Sequence, residues 1–321
     1  MSDRVWHTGG MSRVIFWWIS VVSLAAVAVA VAARLFEQEA GPLAIVVAFM
    51  PWMLIASFVP ILFGLLARSG WLAMAAVALL ALNIWWQAPL FTTDGGGPPA
   101  LRVASVNATF GNVDPRAVVE LVQERQIDIL AIQELTPASV VALKAAGLDD
   151  ELTFSMTRPG DGVEGIGLWS RYPMTAEALG GFSANAIEGQ IITPDGMLLV
   201  DAVHPAAPGL LDHTLWSEDF ARLSTVLAAN IGPSLVLGDF NATRDHSEFR
   251  ELERLGYDDA ADQAGAGFAM TFPQDRTPWP LVAIDHSLVR DTTLTALLLK
   301  TVTLPGADHR AIVVQYGFPK E

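Results

Sequence analysis

The stretch Leu235-Val-Leu-Gly-Asp-Phe-Asn241 decides the fold of this 321-residue chain. Its three apolar residues indicate a buried strand, and the four residues that follow form a polar loop at the strand end. Gly238 permits a close backbone approach. Asp239 and Asn241, two residues apart on an extended turn, are expected to point the same way. An ordinary Asp/Asn turn is the alternative, but the tetrapeptide after an apolar strand favours a functional loop.

Other polar groups also stand beside apolar runs. Gln133-Glu134 follows the run at 127–132, and Asp308-His309 precedes the final strand. Asn107 ends the first strand of this part, and His204 follows the strand at 197–203. Carboxylates, amides and imidazoles gathered at strand ends suit a hard divalent cation and a phosphate ester. Taken singly, Asn107 fits a turn, Glu134 a solvated loop and His204 a structural residue equally well.

Asp285 lies inside the apolar strand predicted for 282–289. A buried acid needs a partner because an unpaired buried charge is costly. His309 is the natural candidate, and a carboxylate behind its imidazole would make it a general base for water. His286 is the rival partner, but strand alternation points it to the opposite face from Asp285.

The chain divides into two parts at a Gly/Pro linker. Residues 1–90 form a predicted membrane domain, 91–100 the linker, and 101–321 a second domain. In this second domain, predicted strands alternate with helices, which indicates sheets covered by helices.

Residues 1–90 hold seven of the ten Trp residues and few charges. Long uncharged stretches there predict three transmembrane helices, because about 20 apolar residues cross a bilayer. Their expected bounds are 14–33, 42–67 and 71–88. A cleaved signal peptide, which would explain only the first stretch, and a buried soluble core are the alternatives.

Arg4, Arg13 and Arg68 place the N-terminus in the cytoplasm by the positive-inside rule, with everything after residue 90 outside the cytoplasm. The protein is therefore expected in the cell membrane as a multi-pass protein. Residues 91–321 carry 15 basic and 31 acidic residues, a net charge of −16. The chain has no cysteine, so it relies on no disulfide.

Seven motifs in order resemble the endonuclease/exonuclease/phosphatase superfamily over roughly residues 100–317. They are Asn107, Gln133-Glu134, Ser170-Arg171-Tyr172-Pro173, His204, Gly238-Asp239-Phe240-Asn241, Ile284-Asp285 and Asp308-His309. The resemblance implies an α/β fold, a four-layer α/β/β/α sandwich of two packed mixed sheets, here preceded by the three predicted membrane helices. It also implies hydrolysis of a phosphate ester with Mg²⁺, or alternatively Mn²⁺.

The resemblance implies roles for eight residues. Metal-site residues would be Asn107, Glu134 and Asp308. Asp239 and Asn241 would position water and phosphate, and His204 would face the phosphate. His309 would be the base and Asp285 its orienting partner, although family members differ over whether Asp239 or His309 takes the proton.

Two departures from the superfamily pattern distinguish this chain. Gly306-Ala307 replaces the usual Ser- or Thr-containing approach to Asp308, and Pro205 follows His204. With three membrane helices ahead, the sequence resembles a membrane-tethered bacterial branch that includes teicoplanin-resistance-associated membrane proteins. That branch is linked with dephosphorylation of lipid-linked carriers.

The expected partners are the bilayer and a phosphoester, and the charge of the second domain favours a lipid-linked or small phosphoester over nucleic acid. A net charge of −16 disfavours long DNA or RNA, whose binders carry a basic footprint. No protein partner is predicted. A DNase-like nuclease is the alternative enzyme, and a catalytically silent sensor or scaffold is the non-enzymatic one.

Overall fold

The protein is described by a computed structural model that covers residues 8–276, 278–290 and 294–318. Arg4, which contributes to the predicted orientation, lies outside these residues. The chain forms two compact units. The first comprises residues up to Ala88 together with Asp245–Ser247, and the second comprises Pro89–Arg244 and the chain from Glu248 onward.

The first unit is helical. Its helices are α1 (Thr8–Leu35), α2 (Pro42–Ala48), α3 (Met50–Ala56), α4 (Phe58–Leu66) and α5 (Gly70–Gln87). Two stretches, Met11–Leu35 and Gly70–Phe91, are long and apolar enough to span a membrane.

The expected count of three membrane helices is not confirmed. The second predicted span, 42–67, is broken into α2, α3 and α4, with a bend of 71° between Pro42–Ala48 and Met50–Leu66. Pro51 lies in the first turn of α3 and has no N–H to continue the helix from α2, which accounts for the break. Buried Asn83 of α5 donates to the carbonyl of Met50 over 3.0 Å, so this interrupted backbone is hydrogen-bonded inside the unit.

The tripeptide Asp245–Ser247 belongs to the helical unit through buried polar contacts. Asp245 accepts hydrogen bonds from Arg34 Nε at 2.5 Å and from Gln87 Nε2 at 3.0 Å. His246 Nε2 lies 2.9 Å from the carbonyl of Ala44. Because Arg34 and Asp245 are both buried, each charge neutralises the other, and breaking the pair would leave one buried charge unpaired.

The described residues of the second unit form twelve strands and six α-helices. The strands are β1 (Pro99–Asn107), β2 (Ile129–Gln133), β3 (Phe154–Arg158), β4 (Ile166–Ser170), β5 (Met174–Leu179), β6 (Ala186–Thr193), β7 (Gly196–Val203), β8 (Ser234–Asp239), β9 (Asp258–Asp259), β10 (Asp285–Arg290), β11 (Thr295–Thr303) and β12 (Arg310–Gly317). The helices are α6 (Pro115–Arg125), α7 (Pro137–Ala145), α8 (Leu148–Glu151), α9 (Thr214–Ala229), α10 (Ser247–Arg254) and α11 (Ala260–Ala264).

The strands form two six-stranded mixed sheets, in the orders β11-β12-β1-β2-β4-β3 and β5-β6-β7-β8-β10-β9. Apolar side chains of both sheets fill the core between them, for example Val103 and Ile129 against Val200 and Leu235. Helices α6 to α8 cover the outer face of the first sheet, and α9 and α10 cover that of the second. The expected sandwich of two packed mixed sheets with helices is confirmed.

Strand register brings the polar strand ends to one edge of the sandwich. In the first sheet β1 and β2 run parallel, so Asn107 pairs with Gln133. In the second sheet β7 and β8 run parallel, and β10 returns antiparallel so that Asp285 pairs with Asp239. Asp285 is therefore the first residue of its strand, whereas the sequence predicted it near the middle of one at 282–289.

The sequence prediction contains no counterpart for three edge strands, which are β3, β5 and the two-residue β9. β3 and β5 each lie at the end of a sheet and are largely exposed. An edge strand with little burial lacks the apolar run by which the inner strands were predicted, because burial on both faces is what produces such a run.

Candidate active site

Asp239 stands at the centre of the polar edge. It ends β8 and is 1% exposed. Its Oδ2 accepts from Asn107 Nδ2 at 3.0 Å and lies 3.6 Å from His204 Nε2 and 3.7 Å from His309 Nε2. Burial raises the pKa of Asp239, but the adjacent His309 and His204 outweigh it and lower the pKa to about 2. The carboxylate is therefore ionised at neutral pH.

The Asn107 amide joins Asp239 to Glu134. Its Nδ2 lies 3.2 Å from Glu134 Oε1, and its Oδ1 accepts from the backbone N–H of Thr109 at 2.9 Å. Glu134 follows β2 with a φ of 54°, a left-handed conformation uncommon for a residue with a side chain. Its Oε2 accepts from the N–H of Phe110. The first-sheet loops thus fix the direction of the Glu134 carboxylate.

His309 is hydrogen-bonded to Asp285. The Nδ1–H of His309 donates to Asp285 Oδ2 at 2.9 Å, and the Phe272 ring lies against the imidazole at 4.6 Å between centroids. Nε2 is consequently directed toward Asp239. Burial lowers the pKa of His309, but the carboxylates of Asp285 and Asp239 more than offset this and raise it to about 10. In this arrangement His309 holds a proton at neutral pH.

His204 approaches Asp239 from the second sheet. Its Nδ1–H donates to the carbonyl of Val163 at 3.0 Å, which directs Nε2 toward Asp239. Burial lowers the pKa of His204, but the hydrogen bond and charge of Asp239 prevail and raise it. Two imidazoles with raised pKa values therefore face one ionised carboxylate.

Asn241 lies in a tight turn and not on the extended turn that the sequence predicted. Its backbone N–H donates to Asp239 Oδ1 at 2.8 Å, with φ at 50°. An Asp side chain commonly closes such a turn onto the backbone two residues later. The Asn241 amide Nδ2 donates to the carbonyl of Pro205. At Gly238 a Cβ would lie 2.0 Å from the carbonyl oxygen of Val203, so this position requires glycine.

Asp308 is held by the loop after β1. Its Oδ1 accepts from Thr109 Oγ1 at 2.6 Å, and its Oδ2 lies 3.6 Å from Arg276 Nη2. Of the eight predicted residues, the structure gathers Asn107, Glu134, His204, Asp239, Asp285 and His309 into one contact network, with Asn241 closing the turn. Asp308 binds Thr109 beside that network.

The donor set fits a hard divalent cation. Among the described residues, one group of three acids and histidines has ligand atoms that all lie within 4.8 Å of one another, and its members are Asp239, Asp285 and His309. Since Asp285 and His309 are hydrogen-bonded to each other, Asp239 is the carboxylate of this group that is not already bound to His309. Glu134 offers a second carboxylate on the other side of the Asn107 amide. Hard cations such as Mg²⁺ are bound by one or two carboxylates.

Three residues that support the site were not predicted from the sequence to do so. Thr109 exchanges two hydrogen bonds with Asp308. Thr271 Oγ1 accepts from the backbone N–H of Ile284, just before Asp285. His286 Nε2 lies 3.0 Å from the carbonyl of Ala242, after the Asp239 turn, and its Nδ1 lies 3.3 Å from Asp259. Strand alternation alone signalled that His286 turns away from Asp285.

Solved structures share this fold at low sequence identity. A 3′ phosphatase, NExo, from Neisseria bound to a product DNA hairpin is 17% identical with a TM-score of 0.57, covering 68% of this chain and 100% of that one. D. rerio TDP2 complexed with a single-strand DNA product is 18% identical with a TM-score of 0.54, covering 68% and 98%. An endonuclease/exonuclease/phosphatase from Beutenbergia cavernae is 14% identical with a TM-score of 0.53, covering 69% and 72%.

Comparison with curated proteins gives no match. The model of the Endonuclease/Exonuclease/phosphatase family matches residues 80–309, which is more than half of the chain and contains all eight predicted site residues. The chain therefore belongs to the endonuclease/exonuclease/phosphatase family.

Proposed function

We propose that the protein is a membrane-anchored phosphoesterase that uses a divalent cation, with Mg²⁺ before Mn²⁺, to hydrolyse a lipid-linked or small phosphoester outside the cytoplasm. The observation that carries this proposal is the buried, ionised Asp239 with the Asn107 amide, Glu134 and two imidazoles around it. Kinship with the membrane-tethered, teicoplanin-resistance-associated branch forms part of the same proposal.

Glu134 and Asp239, with Asn107 between them, would hold the cation, and Asp308 remains a predicted further ligand. When bound, a divalent cation supplies positive charge that polarises the phosphoryl oxygens. His309 carries a proton on a nitrogen directed at this point, and Asp239 raises the pKa of His204, whose Nε2 is directed at the same carboxylate. Imidazoles placed in this way can donate to non-bridging phosphate oxygens as negative charge develops there.

We propose that Asp239 orients the attacking water and accepts its proton. Asp239 is ionised, whereas His309 holds a proton because the neighbouring carboxylates raise its pKa, so Asp239 is the available proton acceptor. Asn107 and the N–H of Asn241 hold its two oxygens and thereby fix the direction in which water is presented. Such positioning is a large part of catalysis in phosphoryl transfer.

The substrate preference follows from charge and from the apolar helices. A net charge of −16 over residues 91–321 opposes binding of a long polyanion. Two helices long enough to enter a bilayer keep the chain among lipids, where a lipid-linked substrate has a high effective concentration. The nuclease alternative is favoured by the DNA-bound relatives.

The test is phosphate release from polyprenyl pyrophosphate by the full-length protein in lipid vesicles with Mg²⁺. We expect release that is abolished by chelator and by Asp239→Asn, and unchanged by Asp195→Asn in the exposed turn between β6 and β7. No release together with rapid plasmid nicking would establish the nuclease alternative. Absence of both activities in the wild type would indicate a catalytically silent scaffold, and full activity in Asp239→Asn would contradict the role assigned to Asp239.

A further inference from the structure

We propose that exposed apolar side chains around the site bind the hydrocarbon of an amphiphilic phosphoester, an inference that rests on the proposed function and names its substrate class. These side chains form what we call the apolar rim, and each is more than half exposed. They are Phe110 at 52%, Val163 at 51%, Leu210 at 57%, Leu211 at 84%, Leu215 at 60% and Trp279 at 58%.

Two loops of the rim are fastened to residues of the site itself. The N–H of Phe110 donates to Glu134 Oε2 at 2.8 Å. The carbonyl of Val163 accepts from His204 Nδ1 at 3.0 Å. In each case the backbone contacts a site side chain while the apolar side chain of the same residue is exposed to solvent. The backbone of these two rim residues is therefore in direct contact with side chains of the candidate site.

The other two loops are fastened in the same region. The loop from β7 to α9 carries Leu210 and Leu211, and its Pro205 carbonyl accepts from the Asn241 amide. Trp279 lies in the segment between Phe272 and Leu281. The Phe272 ring lies against the His309 imidazole, with 4.6 Å between the ring centroids, and the N–H of Leu281 donates to the Phe272 carbonyl at 2.7 Å. Four separate loops thus bring apolar side chains to one edge of the sandwich.

Hydrocarbon fits these loops better than a polyanion. The loops also carry the exposed acids Asp161, Asp212 and Asp275, which repel a nucleic-acid backbone. The basic Arg276 lies 3.6 Å from Asp308, where it is partly neutralised. Apolar side chains grouped beside a polar site mark a binding surface. A molecule with a phosphate and an alkyl chain would match both parts.

Exposed apolar side chains are not by themselves evidence of a binding surface, because the opposite edge of the same unit also exposes apolar residues. Ile192 and Met197 flank the turn between β6 and β7, and Ile231 precedes β8. These residues are at the strand ends remote from Asp239. They provide matched control positions for a test of the rim.

The experiment compares butyl and octyl monophosphate, below their micelle concentrations, as substrates of the full-length protein in lipid nanodiscs. In the wild type we expect kcat/KM to be at least about tenfold higher for the octyl ester, because four additional methylenes leave water. The triple variant Phe110→Ser, Leu211→Ser, Trp279→Ser should reduce this ratio to below about threefold. The control variant Ile192→Ser, Ile231→Ser should keep the wild-type ratio.

Equal kcat/KM for the two esters in the wild type, or an unchanged ratio in the triple variant, would contradict hydrocarbon binding by the apolar rim. The proposed phosphoesterase activity would still stand. Hydrolysis of neither ester, with plasmid DNA cleaved under the same conditions, would overturn the proposed function and the rim together. The Trp279→Phe variant, which keeps an aromatic ring, should retain most of the chain-length preference. If Trp279→Phe loses the chain-length preference to the same extent as Trp279→Ser, the side chain at this position does not act through an apolar contact with the substrate.

Discussion

The buried pairs Asp285–His309 and Asp259–His286 of the second unit share a chemistry and differ in their surroundings. Asp285 and His286 are neighbours on β10 and point to opposite faces of the sheet. Asp285 accepts from His309 at 2.9 Å on the face that leads to the site. His286 lies 3.3 Å from Asp259 on the face covered by α10. One strand therefore supplies half of each pair.

The two pairs differ in what surrounds Nε2, the imidazole nitrogen that does not face the paired aspartate. Nε2 of His286 faces the carbonyl of Ala242 at 3.0 Å, and the Phe249 ring lies 4.4 Å away, so both nitrogens are occupied by the protein. Nε2 of His309 is directed to Asp239 at 3.7 Å, longer than a hydrogen bond. The pKa is raised in both residues despite burial, so the pKa does not distinguish them. The available nitrogen identifies the catalytic candidate.

The largest effect is expected from His309→Gln. It removes the imidazole beside Asp239 and keeps a side chain of similar length. We expect kcat on a short phosphoester to fall by about 10³-fold, in the range that positioned acid–base and electrostatic groups contribute. The measurement is phosphate release at saturating Mg²⁺, with circular dichroism as the control for folding. A variant that retains at least a tenth of the activity would contradict a catalytic role.

A smaller effect, on stability and not on chemistry, is expected from His286→Leu. This change leaves the buried Asp259 carboxylate without its imidazole, and breaking a buried pair costs about 3 kcal/mol or more. Thermal unfolding in nanodiscs should show a lower Tm.

The double variant His286→Leu, Asp259→Asn provides the control, because it removes both members of the pair. It should be more stable than His286→Leu alone. Equal or lower stability of the double variant would mean that the two side chains are not coupled.

The smallest effect is the pH dependence of stability. The pKa of folded His309 is about 10, above its ordinary value of 6.5, so its contribution is complete below about pH 6.5 and declines as the pH rises toward 10. The free energy of unfolding should fall between pH 7 and 10 by on the order of 2 kcal/mol more in the wild type than in His309→Gln. Identical slopes in the two proteins would show that His309 is neutral when folded.

The sequence predicted most of the site because its residues stand at the ends of apolar strands. The Asp239 turn, Glu134 and Asp285 could be placed in this way, since parallel strands present their ends at one edge. The edge strands β3 and β5 could not be predicted, because their exposure removes the apolar pattern. Thr109 was missed for a similar reason, since its role depends on Asp308, 199 residues later in the chain.

In the helical unit, too, some features could be predicted from the sequence and others depend on tertiary contacts. Apolar stretches long enough to cross a bilayer are a property of composition, so the first and last helices were predicted close to their bounds. Pro51, which accounts for the break in the second predicted span, is visible in the sequence. The inclusion of Asp245–Ser247 in this unit, by contrast, depends on contacts between distant residues. Asp245 is buried beside Arg34 and Gln87, although its neighbours in sequence follow the Asp239 turn.

By itself, the sequence determined the family, the alternation of the inner strands with helices and the residue types available for chemistry, because these depend on local pattern and on motif order. The tertiary structure decided which imidazole is open to the site. That choice depends on the acceptors that surround each nitrogen of His286 and His309, and those acceptors come from segments that are adjacent only in the folded chain.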